Sequence, residues 1–231
     1  MDTYLITGAS RGIGRATVVA LAAVPGRRLL AVARSEAALA ALAAELAEAP
    51  SEVAYLAFDL TAEDYSPLLL WLAPYGRLAG LLNNAGNLRP TPAGELTLAD
   101  WQLSFSLNVF APARLAAALH SSLPAGSHVV NIGSMGGFQG SIKFPGLAAY
   151  SAAKAALAVL SECLAAEWAH DGIAVNCLAF GAVQTEMLSI AFPGYQAPLT
   201  PDAMGSFVAW FLTQGQLFFN GKILPVALNN P

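Results

Sequence analysis

A short run of β-branched and aliphatic residues, TYLIT from Thr3 to Thr7, passes without a break into TGASRGIG, Thr7 to Gly14, and then into a helical pattern over 12–23. No other feature of this 231-residue chain constrains its fold as strongly. Glycines at 8, 12 and 14 allow a tight turn and a close approach of backbone to a ligand. A helix that starts directly after such a turn aims its free amide groups at whatever lies there. A glycine triplet alone is weak evidence. The strand before it and the helix after it are the context that turns it into a loop able to cradle a pyrophosphate.

The remainder of the chain repeats the same alternation. Apolar runs at 3–7, 29–33, 53–58, 78–83, 128–133, 173–178 and 222–226 read as strands, and 12–23, 35–49, 61–73, 97–122, 149–170 and 201–213 as helices. Strands apolar on both faces, alternating with helices, imply a doubly wound parallel sheet of seven strands with helices on both sides. No repeat, charge block or linker divides the chain, so residues 1–231 are expected to form a single α/β domain.

Composition narrows the function. Charged residues are only 11% of the chain, against about 25% in an ordinary soluble domain. A monomer so poor in charge would expose much apolar surface, which favours burial against further copies. A net charge of −4 argues against a nucleic-acid partner. His120, His128 and His170 show no metal-ligand spacing, and no metal site is expected. Cys163 and Cys177 form no disulfide framework and read as buried free thiols of a reducing compartment. Only Asp2 to Tyr4 separate Met1 from the apolar start, and the uncharged run Ala203 to Gly221 reads as a buried helix and loop. The expectation is a cytoplasmic protein with no membrane partner.

The second strand ends LLAVARSE. Where an acid about 20 residues beyond the glycine loop would hold a ribose 2′-hydroxyl, the chain has Ala33, Arg34 and Ser35. A carboxylate there would repel a 2′-phosphate, whereas a guanidinium grips one through two hydrogen bonds. Arg11 offers a second positive charge. NADP(H) is therefore expected over NAD(H).

Counting the glycine loop, six motifs stand in order over about 180 residues, and together they resemble the short-chain dehydrogenase/reductase family. They are TGASRGIG, FDLT, NNAG, FSLNVFAP, VVNIGS with YSAAK, and VNCLAFGAVQTEM. The resemblance implies a Rossmann fold and a nicotinamide cofactor. It implies that Gly8, Ser10, Arg11, Gly12, Ile13 and Gly14 line the pyrophosphate, and that Arg34, Ser35, Asp59 and Leu60 line the adenosine end. Asn84, Ala85, Gly86, Gly181, Val183 and Thr185 would line the nicotinamide half. Asn108, Ser134, Tyr150 and Lys154 would be the catalytic set, Tyr150 and Lys154 also touching cofactor, with Lys154 bonded to the ribose.

Residues four apart share a helix face, so Tyr150 and Lys154 can enter one cleft. A phenol titrates near 10, too high for a base at neutral pH. A neighbouring ammonium and an oxidised nicotinamide are expected to lower it.

Three features depart from the resemblance. SIKFPG lengthens the interval between Ser134 and Tyr150, which makes Ser141 a rival for the substrate oxygen and brings in Phe144. Phe180 stands where a proline is usual. The substrate lid, about 186–201, is short and carries Met187, Leu188, Phe192 and Tyr195. Phe144, Phe180, Met187, Phe192 and Tyr195 are the expected substrate wall, suited to a small or flat apolar carbonyl. Helices 97–122 and 149–170 are expected to form a homodimer or homotetramer interface. The reading is an NADP(H)-dependent carbonyl reductase or alcohol dehydrogenase. A catalytically idle cofactor sensor, an NAD(H)-preferring dehydrogenase, and a dehydratase or epimerase on the same fold are the alternatives.

Overall fold

The structure, a computed structural model, describes residues 1–228. Its regular elements, in chain order, are β1 (Asp2–Thr7), α1 (Gly12–Ala22), β2 (Arg27–Ala33), α2 (Glu36–Glu45), β3 (Glu52–Ala57), α3 (Ser66–Leu72), β4 (Gly80–Asn83), α4 (Leu98–Phe105), α5 (Ala111–Leu119), β5 (His128–Ser134), α6 (Ala148–Glu167), β6 (Ala174–Phe180), α7 (Glu186–Ala191), α8 (Pro201–Gln214) and β7 (Ile223–Val226). The strands form one parallel sheet in the order β3-β2-β1-β4-β5-β6-β7. Strand order reverses between β1 and β4, and a crevice opens there at the carboxyl ends of the strands.

Period-2 alternation fixes which residue faces which layer. Ile6, Leu29, Leu82 and Val130 point into one core with Val18 and Leu21 of α1 and Val208 and Phe211 of α8. Their neighbours Leu5, Leu30, Leu81 and Val129 point into the other, with Leu68 of α3 and Leu115 and Leu119 of α5. Each such side chain is almost wholly buried and contributes about 1.5–3 kcal/mol. Two covered faces are why the strands read as unbroken apolar runs.

Several helices begin on a capping hydroxyl. Ser35 accepts from Ala38 N, Thr97 forms a reciprocal capping box with Asp100, Thr185 accepts from Leu188 N, and Thr200 accepts from Ala203 N. The helix expected from 61 starts only at Ser66, with Pro67 in its first turn. The helix expected over 97–122 is interrupted: Ser106–Phe110 is a π-helical segment between α4 and α5. Pro112 supplies the reason. It has no N–H for the carbonyl of Asn108 four residues earlier, so the α ladder widens at that point. By length and composition α6 is apolar enough to cross a bilayer. Here it packs against β5 and β6 instead.

Candidate active site

A cleft of about 900 Å³ runs along the carboxyl ends of the strands. The glycine loop forms its floor. Gly8 sits at φ +65°, and a Cβ on Gly14 would lie 2.3 Å from the Gly8 carbonyl oxygen, so the turn tolerates no side chain there. The NNAG segment clamps the loop from the next strand. Asn84 Nδ2 donates to the carbonyls of Thr7 (3.0 Å) and Gly8 (3.2 Å). Thr7 Oγ1 accepts from the amides of Asn84 (3.0 Å) and Ala85 (3.1 Å) and donates to Leu82 O (3.0 Å). The N-terminus of α1 carries neither a side-chain cap nor an acid, so its first amides stay free to bind an anion.

At the far end of the cleft lie Ala33, Arg34, Ser35, Phe58, Asp59 and Leu60. Arg34 is exposed at the end of β2, and Ser35 is committed to capping α2. Asp59 caps no helix. Its carboxylate accepts from Thr61 N (2.9 Å) and Thr61 Oγ1 (2.8 Å). The Thr61 amide hydrogen bond is the main reason its pKa lies below the usual carboxylate value, with the Arg34 charge adding to the effect. Arg11 is not free over the glycine loop. It forms an exposed ion pair with Glu186, the first residue of α7, so the two arms meet across the cleft.

The other end of the cleft holds all four residues expected to carry the chemistry. Ser134 ends β5, and its hydroxyl accepts from Gly136 N (3.1 Å). Tyr150 faces it from the first turn of α6. Burial raises the phenol above its ordinary pKa, and the Ser134 hydroxyl opposes the rise. With its pKa above the ordinary phenol value, Tyr150 holds its proton at neutral pH.

Lys154 is 4% exposed, with Nζ 5.8 Å from the Tyr150 ring centre, and it donates to Ile132 O at 2.7 Å. That bond uses one of the three N–H donors of the ammonium. Burial pulls the amine down to about 8, with the adjacent Cys177 opposing. Cys177 itself is pushed up to about 11 by burial and is inert.

Asn108 is fully buried in the π segment. Its Nδ2 donates to Asn87 O (3.0 Å), Asn87 Oδ1 (2.7 Å) and Ser104 O (2.9 Å), and its Oδ1 accepts from Asn87 N (3.3 Å). A Cβ on Gly86 would lie 2.8 Å from Asn108 Oδ1 and 3.4 Å from Lys154 Nζ. Only glycine fits between them. Asn87 was not singled out from sequence, although an asparagine directly after NNAG was its signal.

Ser141 does not line the cleft. Its hydroxyl donates to Met135 O and Phe138 O, and Lys143 caps the same turn through Phe138 O (2.7 Å), Ser141 O (3.1 Å) and Ser141 Oγ (2.6 Å). Of the two serines, only Ser134 faces Tyr150. Phe180 pairs in register with Ser134 on one side and Val226 on the other, and its side chain walls the cleft. Gly181, Val183 and Thr185 line the cleft beyond it, followed by Met187, Leu188, Phe192 and Tyr195. One expectation fails outside the site: Cys163 is exposed.

The cradle fits a dinucleotide. It has a glycine floor without room for side chains, an uncapped helix N-terminus at the phosphate position and apolar slots at each end. Fold and cleft together define a Rossmann-type oxidoreductase that works with a nicotinamide dinucleotide. Residues 2–195 match the short chain dehydrogenase family. The chain is 37% identical over 188 residues to a 3-oxoacyl-[acyl-carrier-protein] reductase of Synechocystis sp., covering 79% of this chain and 74% of that one. A short chain dehydrogenase from Burkholderia cenocepacia, solved in complex with NADP, superposes with a TM-score of 0.86 at 26% identity, covering 98% of this chain and 96% of that one. Levodione reductase superposes with a TM-score of 0.87 at 27% identity over the same shares. The chain belongs to the short-chain dehydrogenase/reductase family.

Proposed function

We propose that the protein is an NADP(H)-dependent carbonyl reductase for a small apolar ketone or aldehyde, with Tyr150 as the proton donor. The observation that carries this reading is the convergence of Ser134, Tyr150 and Lys154 where the dinucleotide groove meets an apolar wall. The nicotinamide, when bound, supplies the hydride.

The residues of the chain do the remaining work. Ser134 donates a hydrogen bond to the substrate oxygen and fixes it against the Tyr150 hydroxyl. Tyr150, protonated at neutral pH, gives its proton to that oxygen as negative charge develops there. Lys154 stays mostly protonated at pH 7 and stabilises the phenolate left behind. Asn108 and Asn87 hold Gly86 and the lysine end of the site in place. Alcohol oxidation runs through the same groups in reverse.

The NADP(H) preference rests on Arg34 at the end of β2 and on the missing acid at Ala33. The NADP complex of the Burkholderia relative supports it. NADPH oxidation should be followed over a panel of ketones and aldehydes. Turnover of apolar carbonyls, faster with NADPH than with NADH, is expected. Tight NADPH binding with no turnover of any carbonyl would overturn the reading in favour of an idle binder.

A further inference from the structure

The inserted loop and the lid touch through aromatic rings. Phe144, on the SIKFPG loop, meets Phe192, which follows α7, edge to face at 5.2 Å between ring centres and 75° between planes. Tyr195 lies 6.5 Å beyond Phe192. All three rings line the cleft, and Phe144 and Tyr195 stay 37% and 47% exposed. Met135, Leu147, Phe180 and Met187 continue the wall towards Ser134 and Tyr150.

Among the described residues, the side chains of that wall are aromatic and aliphatic, and away from the catalytic end the Tyr195 hydroxyl is their polar group. Lys143, the cation on the inserted loop, directs its ammonium at Phe138 and Ser141. Glu186 is paired with Arg11. Thr185 caps α7.

We propose that Phe144 and Phe192 form a specificity-determining clasp that selects planar cyclic or aryl ketones over open-chain and polyhydroxylated carbonyls. This rests on the carbonyl-reductase reading above. A flat guest covers the exposed ring faces and gains aromatic contact that a flexible chain of equal size does not. It also loses less conformational entropy on binding. A polyol would bury several hydroxyls against aromatic and aliphatic side chains, where the Tyr195 hydroxyl can pair with one of them but not with all. In the reaction, the ketone carbon gains the hydride of NADPH and its oxygen gains the Tyr150 proton, leaving a secondary alcohol and NADP⁺.

The test compares acetophenone, 2-octanone of equal carbon count, and fructose, using kcat/KM with NADPH for the wild type, Phe144→Ala, Phe192→Ala and Phe192→Leu. The wild type should favour acetophenone over 2-octanone by about tenfold or more, with fructose unreactive. Phe192→Ala and Phe144→Ala should each lower kcat/KM for acetophenone by about tenfold, mainly through KM, and lower it for 2-octanone by a smaller factor, so that the aryl preference narrows. Phe192→Leu, which keeps the bulk but not the ring, should lose most of the aryl preference. Unchanged NADPH affinity confirms that the cofactor cleft is intact. Equal losses on both ketones, or a wild type that prefers 2-octanone or fructose, overturn the clasp. Saturation-transfer NMR of acetophenone and 2-octanone on the NADPH complex reads the same preference as binding. If no carbonyl is reduced, the reductase reading falls; the clasp then falls only if the NMR preference is also missing.

Discussion

Replacing Lys154 with methionine is expected to make the protein more stable while abolishing its activity. The ammonium sits almost wholly out of water, and burial pulls its pKa from 10.5 to about 8. That drop corresponds to about 3 kcal/mol of destabilisation carried by the charged form. Methionine has a similar length and no charge, so it removes the penalty. It also removes the bond to Ile132 O, worth about 1 kcal/mol. A net gain of about 2 kcal/mol remains at pH 7, or about 4–8 °C in melting temperature for a chain of this size.

The pH dependence fixes the cause. Below pH 8 the lysine is charged in both folded and unfolded states, and the penalty is complete. Between 8 and 10.5 the unfolded chain holds more protons than the folded one, so the wild type gains stability as pH rises. The advantage of the methionine variant should therefore shrink over that window. Chemical denaturation of both proteins at pH 7, 8.5 and 10 measures it. A variant less stable than wild type at pH 7, with a gap that does not change with pH, refutes the reasoning.

Other perturbations test separate parts of the site. Ala33→Asp with Arg34→Ser should shift the NADPH/NADH ratio of kcat/KM towards NADH by about tenfold to hundredfold, read from steady-state kinetics with each cofactor. An unchanged ratio would refute the NADP(H) preference. Ser134→Ala should lower kcat by about a hundredfold, whereas Ser141→Ala should change stability more than kcat, since its hydroxyl only braces the loop. Leu98, Leu103 and Phe110 of the α4–α5 region and Val159 of α6 are exposed apolar side chains. We propose that they are covered in a homo-oligomer. Light scattering should find a dimer or tetramer for the wild type and a smaller species for Phe110→Glu with Val159→Glu.

The strand and helix order was readable because both faces of the sheet are buried, which leaves each strand as a plain apolar run between helices. Edges were less legible. Asp59 and Thr61 form a side-chain turn where a helix was expected, and α3 begins only at Ser66. The π segment was latent in the four-residue spacing of Asn108 and Pro112, a backbone effect that side-chain patterning does not register.

Within the site, residues set by local sequence were recoverable: the glycine loop, Ser134 at a strand end, and Tyr150 and Lys154 one turn apart. Relations between distant segments were not. The Arg11–Glu186 pair spans 175 positions, and the fate of Ser141 depends on how the inserted loop turns. The upward shift of the Tyr150 phenol comes from burial that no spacing reveals. Cys163 shows the same limit at the level of helix phase. Leu157, Ser161 and Ala165 mark the buried stripe of α6, and position 163 falls off it.

The most direct test of the proposed chemistry is single-turnover NADPH oxidation by wild type and Tyr150→Phe with one reducible apolar ketone, alongside NADPH affinity by fluorescence. The phenylalanine variant keeps the ring and loses the hydroxyl, and with it the proton to be donated and the hydrogen bond to Ser134. The hydride-transfer step should fall by about a thousandfold while NADPH still binds as in the wild type. A variant that reduces the ketone at the wild-type rate would contradict the role of Tyr150 as proton donor.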